Sequence, residues 1–226
     1  MKYNNIVEGT FISRPNRFIA EVEIGGKICI CHVKNTGRCR ELLIPGVTVF
    51  LEQSDNPSRS TKYDLIAVKK GEMLINVDSQ APNKVIYEWI RAGNYFKNIT
   101  LFKPETRYGD SRFDLYLEAD GERIFAEVKG VTLEEEGVVM FPDAPTERGV
   151  KHVGELIKAV KDGYRAYVFF VIQMEKCEYF TPNRKTHPQF ADALKAAKEQ
   201  DVRVIALNCH VTPDGLEVKD FVPIML

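Results

Sequence analysis

The sequence predicts a two-part α/β protein, in which a small β-barrel precedes an α/β domain with a mixed central sheet. Over the first eighty residues, short alternating runs are separated by turn residues, which is typical of strands. From residue 83 onward, apolar patterns with a helical period alternate with strand-like runs, which is typical of α/β domains. We therefore place a domain boundary near residue 82, giving domains 1–82 and 83–226.

Composition limits the classes of function. The 226 residues are 44% hydrophobic, which excludes a disordered chain. A formal net charge of −1 gives no overall basic field, so nucleic-acid binding would depend on local patches. An odd number of cysteines argues against a disulfide framework. Without a leader-like N-terminus or an apolar run of about 20 residues, we expect a cytoplasmic protein with no membrane partner.

Six candidate strands make up the first domain. They are residues 6–13, 18–24, 27–33, 47–52, 63–69 and 73–77. Gly25-Gly26 between two alternating runs is a strong hairpin signal. Further turns are predicted at residues 14–16 and 35–37, and only residues 38–43 hint at a helical period. Short strands at this spacing favour a small barrel of the OB type, although a β-domain with no binding role would read the same way.

Helices and strands alternate in the second domain. Asn83 is predicted to cap a helix that Gly93 ends. Strands at 105–108, 113–118 and 123–131 follow, the last two joined by a turn at residues 119–121. The remaining predicted elements are a helix at 146–162, a strand at 166–172, a helix at 189–200 and a strand at 202–207. In the 146–162 helix the predicted buried stripe consists of Val150, Val153, Ile157 and Val160.

Three charged residues in the predicted hairpin carry the candidate chemistry. Asp114 lies inside one strand, and Glu127 and Lys129 lie two apart on the next, so the latter two share a face. Charges on an apolar strand are costly unless something binds them, and a divalent cation relieves the repulsion between two carboxylates. The pattern predicts a catalytic set of Asp114, Glu127 and Lys129, with Asp114 and Glu127 holding Mg²⁺ or Mn²⁺ for phosphodiester hydrolysis.

Other polar residues are candidate accessories to this site. Arg148, His152 and Glu155 are predicted on the helix face opposite the apolar stripe, which faces either the cleft or solvent. His152 is a candidate general base or phosphate ligand, and Glu155 a candidate third carboxylate. Glu88 in the preceding helix is a further candidate acid on the metal side.

A basic stretch in the first domain is the candidate nucleic-acid surface. No acidic residue occurs between Glu23 and Glu41. Cations near β-turns without carboxylates favour phosphate binding, although an ordinary basic edge has the same pattern. The candidate nucleic-acid-binding residues are Arg14, Arg17, His32, Lys34, Asn35, Arg38 and Arg40.

Two resemblances follow from these motifs. An acid followed by Glu-x-Lys on the adjacent strand, within an αβββαβ order, resembles the PD-(D/E)xK nuclease superfamily. Over residues 14–152 the chain also resembles the sugar fermentation stimulation protein A family. The matching segments are Arg14-Pro15-Asn16-Arg17-Phe18, His32-Val33-Lys34-Asn35-Thr36-Gly37-Arg38, Arg112-Phe113-Asp114, Glu127-Val128-Lys129-Gly130-Val131, residues 141–149 and Lys151-His152.

The family resemblance implies an OB-like domain followed by a nuclease-like domain, DNA binding, and a link to regulation of sugar (maltose) metabolism genes. We therefore expect a DNA-binding protein on a nuclease-like scaffold. A Mg²⁺- or Mn²⁺-dependent DNA endonuclease or exonuclease is the first alternative, and a protein-interaction scaffold is the second, because fold does not fix function. The apolar residues from Phe221 to Leu226 make a homodimer a further expectation.

Overall fold

The computed structural model describes residues 1–35 and 37–226 and confirms the predicted fold class. A closed β-barrel comes first and a mixed α/β domain follows. Thr36, which belongs to the turn predicted at 35–37, lies outside the described residues. No helix in the described part of the chain is long and apolar enough to span a membrane.

All six predicted strands of the first domain form. They are β1 (Ile6–Asn16), β2 (Ile19–Ile24), β3 (Lys27–Val33), β4 (Thr48–Gln53), β5 (Tyr63–Lys70) and β6 (Met73–Asn76). The sheet order is β3-β2-β1-β4-β5-β6, and a parallel pairing of β3 with β5 closes a five-stranded barrel. Inward side chains such as Phe11, Val22 and Leu65 fill its core. Cys31 belongs to this core, and burial raises the pKa of its thiol to about 12.

Two details of the barrel differ from the prediction. The turn predicted at residues 14–16 instead lies within β1, whose pairing with β2 is irregular between Phe11 and Asn16. An irregular segment accommodates Pro15, which cannot donate to a regular ladder. Residues 38–43 form turns rather than a helix.

The second domain contains the predicted elements and four strands that the sequence did not reveal. The predicted elements are α1 (Ala81–Arg91), β7 (Ile99–Tyr108), β8 (Ser111–Ala119), β9 (Glu122–Val131), α2 (Glu147–Lys161), β12 (Arg165–Ile172), α3 (Pro188–Glu199) and β14 (Arg203–Thr212). The additional strands are β10 (Leu133–Glu135), β11 (Val138–Phe141), β13 (Tyr179–Pro182) and β15 (Gly215–Phe221). The main sheet has the order β15-β14-β12-β9-β8-β7, while β10, β11 and β13 form a small separate sheet.

Helices cover both faces of the main sheet. Side chains of α1 pack on one face, and those of α2 and α3 pack on the other. Strand β12 lies in the middle, paired in parallel with β9 and β14, and Ala166–Ile172 is buried on both faces as its apolar run predicts. Asp120 and Gly121, with φ of 54° and 79°, form the tight turn between β8 and β9.

The orientation of α2 corrects the predicted stripe. The ends of the helix agree with the prediction. At its start, the Thr146 hydroxyl caps the helix by accepting a hydrogen bond from the backbone N–H of Gly149. Its buried face, however, includes His152 and Glu155, which were predicted to lie opposite the apolar stripe. Val150, Ile157 and Val160 are only partly buried. A helix packed against both a sheet and another helix has two buried faces, so the apolar stripe alone did not show which face meets the sheet.

The two domains pack directly against each other. The Gln173 amide, just after β12, donates to Asn76 Oδ1 (2.8 Å) and to the Asp78 carbonyl (3.0 Å). The backbone N–H of Asn76 in turn donates to the Gln173 carbonyl. These buried hydrogen bonds fix the end of the barrel against the central sheet, and therefore fix the cleft between the domains.

Candidate metal centre and nucleic-acid interface

The acidic centre, defined as Asp114, Glu127 and Lys129, lies where β8 and β9 separate. The ladder between these strands reaches its last pair at Leu115 and Ala126. One position beyond, Asp114 Oδ2 accepts the backbone N–H of Val128 at 2.8 Å, which satisfies a donor that the partner strand no longer pairs. The acids of two strands thus meet at one point, as the sequence predicts.

Glu127 holds its two oxygens in different environments. Oε1 accepts from Lys129 Nζ and from His152 Nδ1, both at 2.5 Å. Oε2 is buried and has no hydrogen-bond partner among the described residues. Only 2% of Glu127 is exposed, so solvent does not compensate this oxygen. A buried carboxylate oxygen without a partner is costly, and a bound cation would remove that cost.

The pKa values of the two acids shift in opposite directions. Burial raises the pKa of Asp114, and the charge of Glu127 raises it further. Burial also acts to raise the pKa of Glu127, but the hydrogen bond from His152 and the ammonium of Lys129 outweigh it and lower that pKa. Opposite shifts in two neighbouring carboxyls are typical of functional sites.

The donor set fits a hard divalent cation. Mg²⁺ typically takes one or two protein carboxylates and completes its coordination with water and substrate phosphate. Asp114 and Glu127 would supply the carboxylates. No set of three or more His, Cys, Asp or Glu side chains in the described chain could hold a metal by itself. The centre therefore suits a cation shared with a phosphate ligand rather than a closed structural metal site.

Helix α1 contributes two residues that the sequence analysis did not place in the site. Asn83 Nδ2 donates to Asp114 Oδ1 at 3.0 Å, and the Tyr87 hydroxyl donates to the Asp114 carbonyl. The helix begins at Ala81, so Asn83 is not the cap that we predicted. The two polar residues are spaced i, i+4, which puts them on one helix face, and this spacing was the available signal.

The accessory candidates divide into two groups. His152 joins the acidic centre through Glu127, and Arg148 Nε donates to His152 Nε2 at 3.3 Å. Glu155 instead pairs with Lys158 on its own helix at 2.7 Å. Glu88 pairs with the N-terminal amine of Met1 at 2.7 Å. The structure thus brings Arg148 and His152 to the site and gives Glu155 and Glu88 other partners.

Two of the predicted phosphate-binding residues organise the loop after β3. The Arg14 guanidinium donates to the carbonyls of Arg17, Asn35, Gly37 and Arg38 at 2.6 to 2.8 Å. The Asn35 side chain accepts from Gly37 N and donates to the carbonyl of residue 77. Both side chains are therefore used inside the protein.

His32 and Lys34 are paired with acids from outside their own stretch of sequence. Asp64 is only 3% exposed. Its Oδ1 accepts a hydrogen bond from His32 Nδ1 at 3.0 Å, and its Oδ2 lies 3.2 Å from Lys34 Nζ. Arg59 also binds Asp64 at 2.6 Å. The acid-free interval in the sequence is thus partly neutralised in the fold. An acid inside the apolar run of β5 was the signal that pointed to Asp64.

Arg17, Arg38 and Arg40 remain exposed and, with Phe18, form what we call the arginine surface. The Arg17 guanidinium lies over the Phe18 ring, 4.8 Å from its centroid, and Phe18 is 46% exposed. The three arginines border a cavity of about 280 Å³. Within the described chain none of them forms an ion pair.

The other exposed arginines fall into two groups. Some pair with carboxylates, as in Arg112 with Glu105, Arg165 with Glu122 and Arg184 with Asp192. The rest, Arg91, Arg107, Arg123, Arg148 and Arg203, make no ion pair within the described chain either. The arginine surface is distinguished by three such arginines that border one cavity, which suits it to an anionic ligand.

A cleft between the domains lies between the loop after β3 and the end of β9. It has a volume of about 110 Å³, and its lining includes Asn35, Gly130, Asp143 and Gln173. Gly130 follows Lys129 of the acidic centre, while Asn35 belongs to the loop that carries Arg38. Side chains crowd Gly130, since a Cβ there would lie 2.5 Å from Gln173 Oε1 and 2.7 Å from Pro82.

Comparisons with known proteins agree along the whole chain. A family model described as the SfsA N-terminal OB domain matches residues 12–77. A second, described as the sugar fermentation stimulation protein RE domain, matches residues 80–215. The sugar fermentation stimulation protein homolog of Desulfitobacterium hafniense strain Y51 is 64% identical, covering 100% of this chain and 99% of the relative.

A second relative and one solved structure are also similar to this chain along its whole length. The homolog from Clostridium beijerinckii is 58% identical, with 100% of both chains covered. The solved structure of Pyrococcus furiosus SfsA in complex with Ca²⁺ has a TM-score of 0.91 and 29% identity, covering 100% of this chain and 98% of that one. The resemblance to the sugar fermentation stimulation protein A family is confirmed.

Proposed function

This chain belongs to the sugar fermentation stimulation protein family, and we propose that it binds DNA across the cleft between its domains, with a divalent cation at the acidic centre. The arginine surface carries this proposal. Arg17, Arg38 and Arg40 are exposed, border one cavity and make no ion pair within the described chain. Unpaired arginines are the side chains best suited to phosphate oxygens, and Phe18 offers a stacking face to a base.

The cation is part of the same proposal. Two carboxylates facing a polyanion reduce its affinity unless a cation lies between them, and Glu127 Oε2 has no hydrogen-bond partner among the described residues. The similar protein from Pyrococcus furiosus was solved with Ca²⁺, an oxygen-preferring cation like Mg²⁺. We propose Asp114 and Glu127 as the carboxylate ligands of Mg²⁺ or Mn²⁺.

Cleavage of DNA is a second candidate function, which the arrangement around Glu127 favours. A divalent cation bound by these acids would polarise a phosphodiester and supply an activated water. Lys129 lies 2.5 Å from Glu127, where its ammonium can stabilise developing negative charge. The expected activity is that of a metal-dependent endonuclease or exonuclease.

The physiological setting is proposed from the family alone. The relatives are named for stimulation of sugar fermentation, so we propose regulation of sugar-metabolism genes as the role of DNA binding. Phe221, Met225 and Leu226 are exposed, and a homodimer through these residues stays a prediction.

The test combines binding and cleavage on the same labelled DNA. Single- and double-stranded substrates are incubated with Mg²⁺, Mn²⁺ or EDTA, and gel-shift binding is measured beside cleavage. Asp114→Ala and Glu127→Ala run beside the wild-type protein. Binding is expected to weaken steeply with salt, because phosphate contacts release counterions.

Each outcome decides between the candidates. Cleavage that needs metal and is lost in both variants, while binding in EDTA is kept, would make this protein a nuclease. Binding without cleavage under either metal would leave a DNA-binding protein. Absence of both would contradict the proposal and favour the protein-interaction scaffold.

A further inference from the structure

Buried His152 and exposed Arg148 of α2 form a hydrogen-bonded pair beside the acidic centre that the proposed function leaves without a role. His152 is 4% exposed, so it does not meet solvent as a free base would. Its Nδ1 lies 2.5 Å from Glu127 Oε1, and its Nε2 lies 3.3 Å from Arg148 Nε. The Phe113 ring meets the imidazole at 77°, with 6.1 Å between ring centroids.

These contacts assign the imidazole protons. The Arg148 guanidinium only donates, so His152 Nε2 must accept and carries no proton. The remaining proton of a neutral imidazole then lies on Nδ1, which donates to Glu127 Oε1. Both nitrogens are thus committed, and His152 has no lone pair with which to take a proton from water or to bind a metal.

The consequence falls on Glu127. With His152 and Lys129 both donating to Oε1, one oxygen of the carboxylate is saturated, while Oε2 has no hydrogen-bond partner among the described residues. A rotation of the imidazole would break its hydrogen bonds to Glu127 and Arg148, so the ring holds Oε1 in place. Oriented ligands bind metals more tightly, and groups that orient a ligand typically contribute 10- to 100-fold in affinity.

We infer that Arg148 and His152 are positioning residues, which hold Glu127 so that its free oxygen is directed at the cation. This inference rests on the cation centre of the proposed function. It assigns His152 neither the general-base role nor the phosphate contact that its sequence position suggested. Arg148 acts one step further out, by fixing which imidazole nitrogen carries the proton.

Four variants test the inference. His152→Asn keeps an N–H donor close to the position of Nδ1, whereas His152→Leu removes the donor at similar volume. Arg148→Met removes the donor to Nε2. Lys151→Met is the matched control, since it also removes one positive charge from α2 but lies exposed, with its Nζ 3.3 Å from the Asp110 carbonyl.

Mn²⁺ affinity is measured by titration calorimetry on the full chain, after thermal unfolding has shown that each variant is folded. We expect His152→Leu to weaken Mn²⁺ binding by about 10- to 100-fold and Arg148→Met by about 3- to 10-fold. His152→Asn should stay within about 3-fold of wild type. Lys151→Met should match wild type. A second readout, the ¹⁵N shifts of the His152 ring, should show the proton on Nδ1 and none on Nε2.

The outcomes separate this inference from the proposed function. Wild-type affinity in folded His152→Leu, or His152→Asn as weak as His152→Leu, would overturn the positioning role while the cation centre stands. A proton found on Nε2 would do the same. A wild-type protein that does not bind Mn²⁺ at all would overturn the cation centre and the positioning role together.

Discussion

The arginine surface and the acidic centre are built in opposite ways. Arg17, Arg38 and Arg40 are exposed and make no ion pair within the described chain. Glu127 is buried, and its Oε1 accepts hydrogen bonds from the side chains of Lys129 and His152. Exposed cations suit a ligand that varies in sequence, because they contact phosphate rather than bases. Buried, oriented carboxylates suit a ligand of one size and charge.

The largest expected effect is on cation binding at the acidic centre. Glu127→Gln removes a negative charge that binds the cation. We therefore expect calorimetry to show a loss of Mn²⁺ affinity of at least about 100-fold, which exceeds the loss expected when only a residue that orients the ligand is removed. Binding of DNA in EDTA should persist, since one repulsive charge is gone.

The control for this prediction is Glu155→Gln. Glu155 is also a buried acid beside the sheet, but it pairs with Lys158. Mn²⁺ affinity should be unchanged in this variant. Equal losses in the two variants would mean that the metal site extends to Glu155, as the sequence alone suggested.

The next effect concerns the arginine surface. In the triple variant Arg17→Ala/Arg38→Ala/Arg40→Ala we expect DNA affinity to fall by roughly 30- to 100-fold near 0.1 M salt. The slope of log K against log salt should shrink by about 2.7, or about 0.9 for each lost phosphate contact. Both quantities come from gel-shift or anisotropy titrations at several salt concentrations.

A triple variant elsewhere controls for net charge. Arg165, Lys198 and Arg203 border another cavity, near the start of β12 and β14. Replacing all three with alanine removes the same charge but should leave the salt slope nearly unchanged. Similar slopes in the two triple variants would contradict a localised DNA surface.

A smaller effect tests the difference between inward and outward arginines. Arg14→Ala loses four hydrogen bonds to backbone carbonyls, so we expect the free energy of unfolding to fall by about 2 kcal/mol. Arg38→Ala should change it by less than about 0.5 kcal/mol, as surface substitutions usually do. Urea unfolding measures both. Equal stabilities would show that the loop does not depend on Arg14.

The smallest effect concerns pH. Burial acts to raise the pKa of Asp64, but the hydrogen bond from Arg59 and the charge of Lys34 outweigh it and lower the pKa from 3.8 to about 2. Because the folded-state pKa is depressed, the ionised carboxylate stabilises the fold above pH 3.8. This contribution, about 1–2 kcal/mol, is lost as the pH falls toward 2.

Comparison with Asp64→Asn isolates this contribution. In urea unfolding the wild-type advantage over Asp64→Asn should be largest near pH 6 and should shrink between pH 4 and pH 2. Glu72→Gln is the control, because that side chain is 92% exposed. If the difference in the free energy of unfolding between wild type and Asp64→Asn did not change with pH, the lowered pKa of Asp64 would be contradicted.

The sequence by itself determined the elements and the central chemistry. Alternating runs identified all six barrel strands, because a half-buried strand must alternate. The apolar run at residues 166–172 identified a strand buried on both faces. Asp114, Glu127 and Lys129 were identifiable because charges in apolar strands need a compensating partner.

The tertiary structure alone decided which candidates meet. The sequence left open whether His152 faces the cleft or solvent. Helix α2 turns it toward Glu127, because that helix packs against both a sheet and another helix. The basic stretch contained no acid locally, yet Asp64 from β5 pairs with His32 and Lys34. Strand β13 likewise depends on long-range pairing, because it pairs in parallel with β11. By contrast, β10 with β11 and β14 with β15 form local hairpins that the sequence analysis missed. A sequence pattern shows which residues of one helix or strand are buried. Which residues distant in sequence come into contact is determined by how the helices and strands pack together.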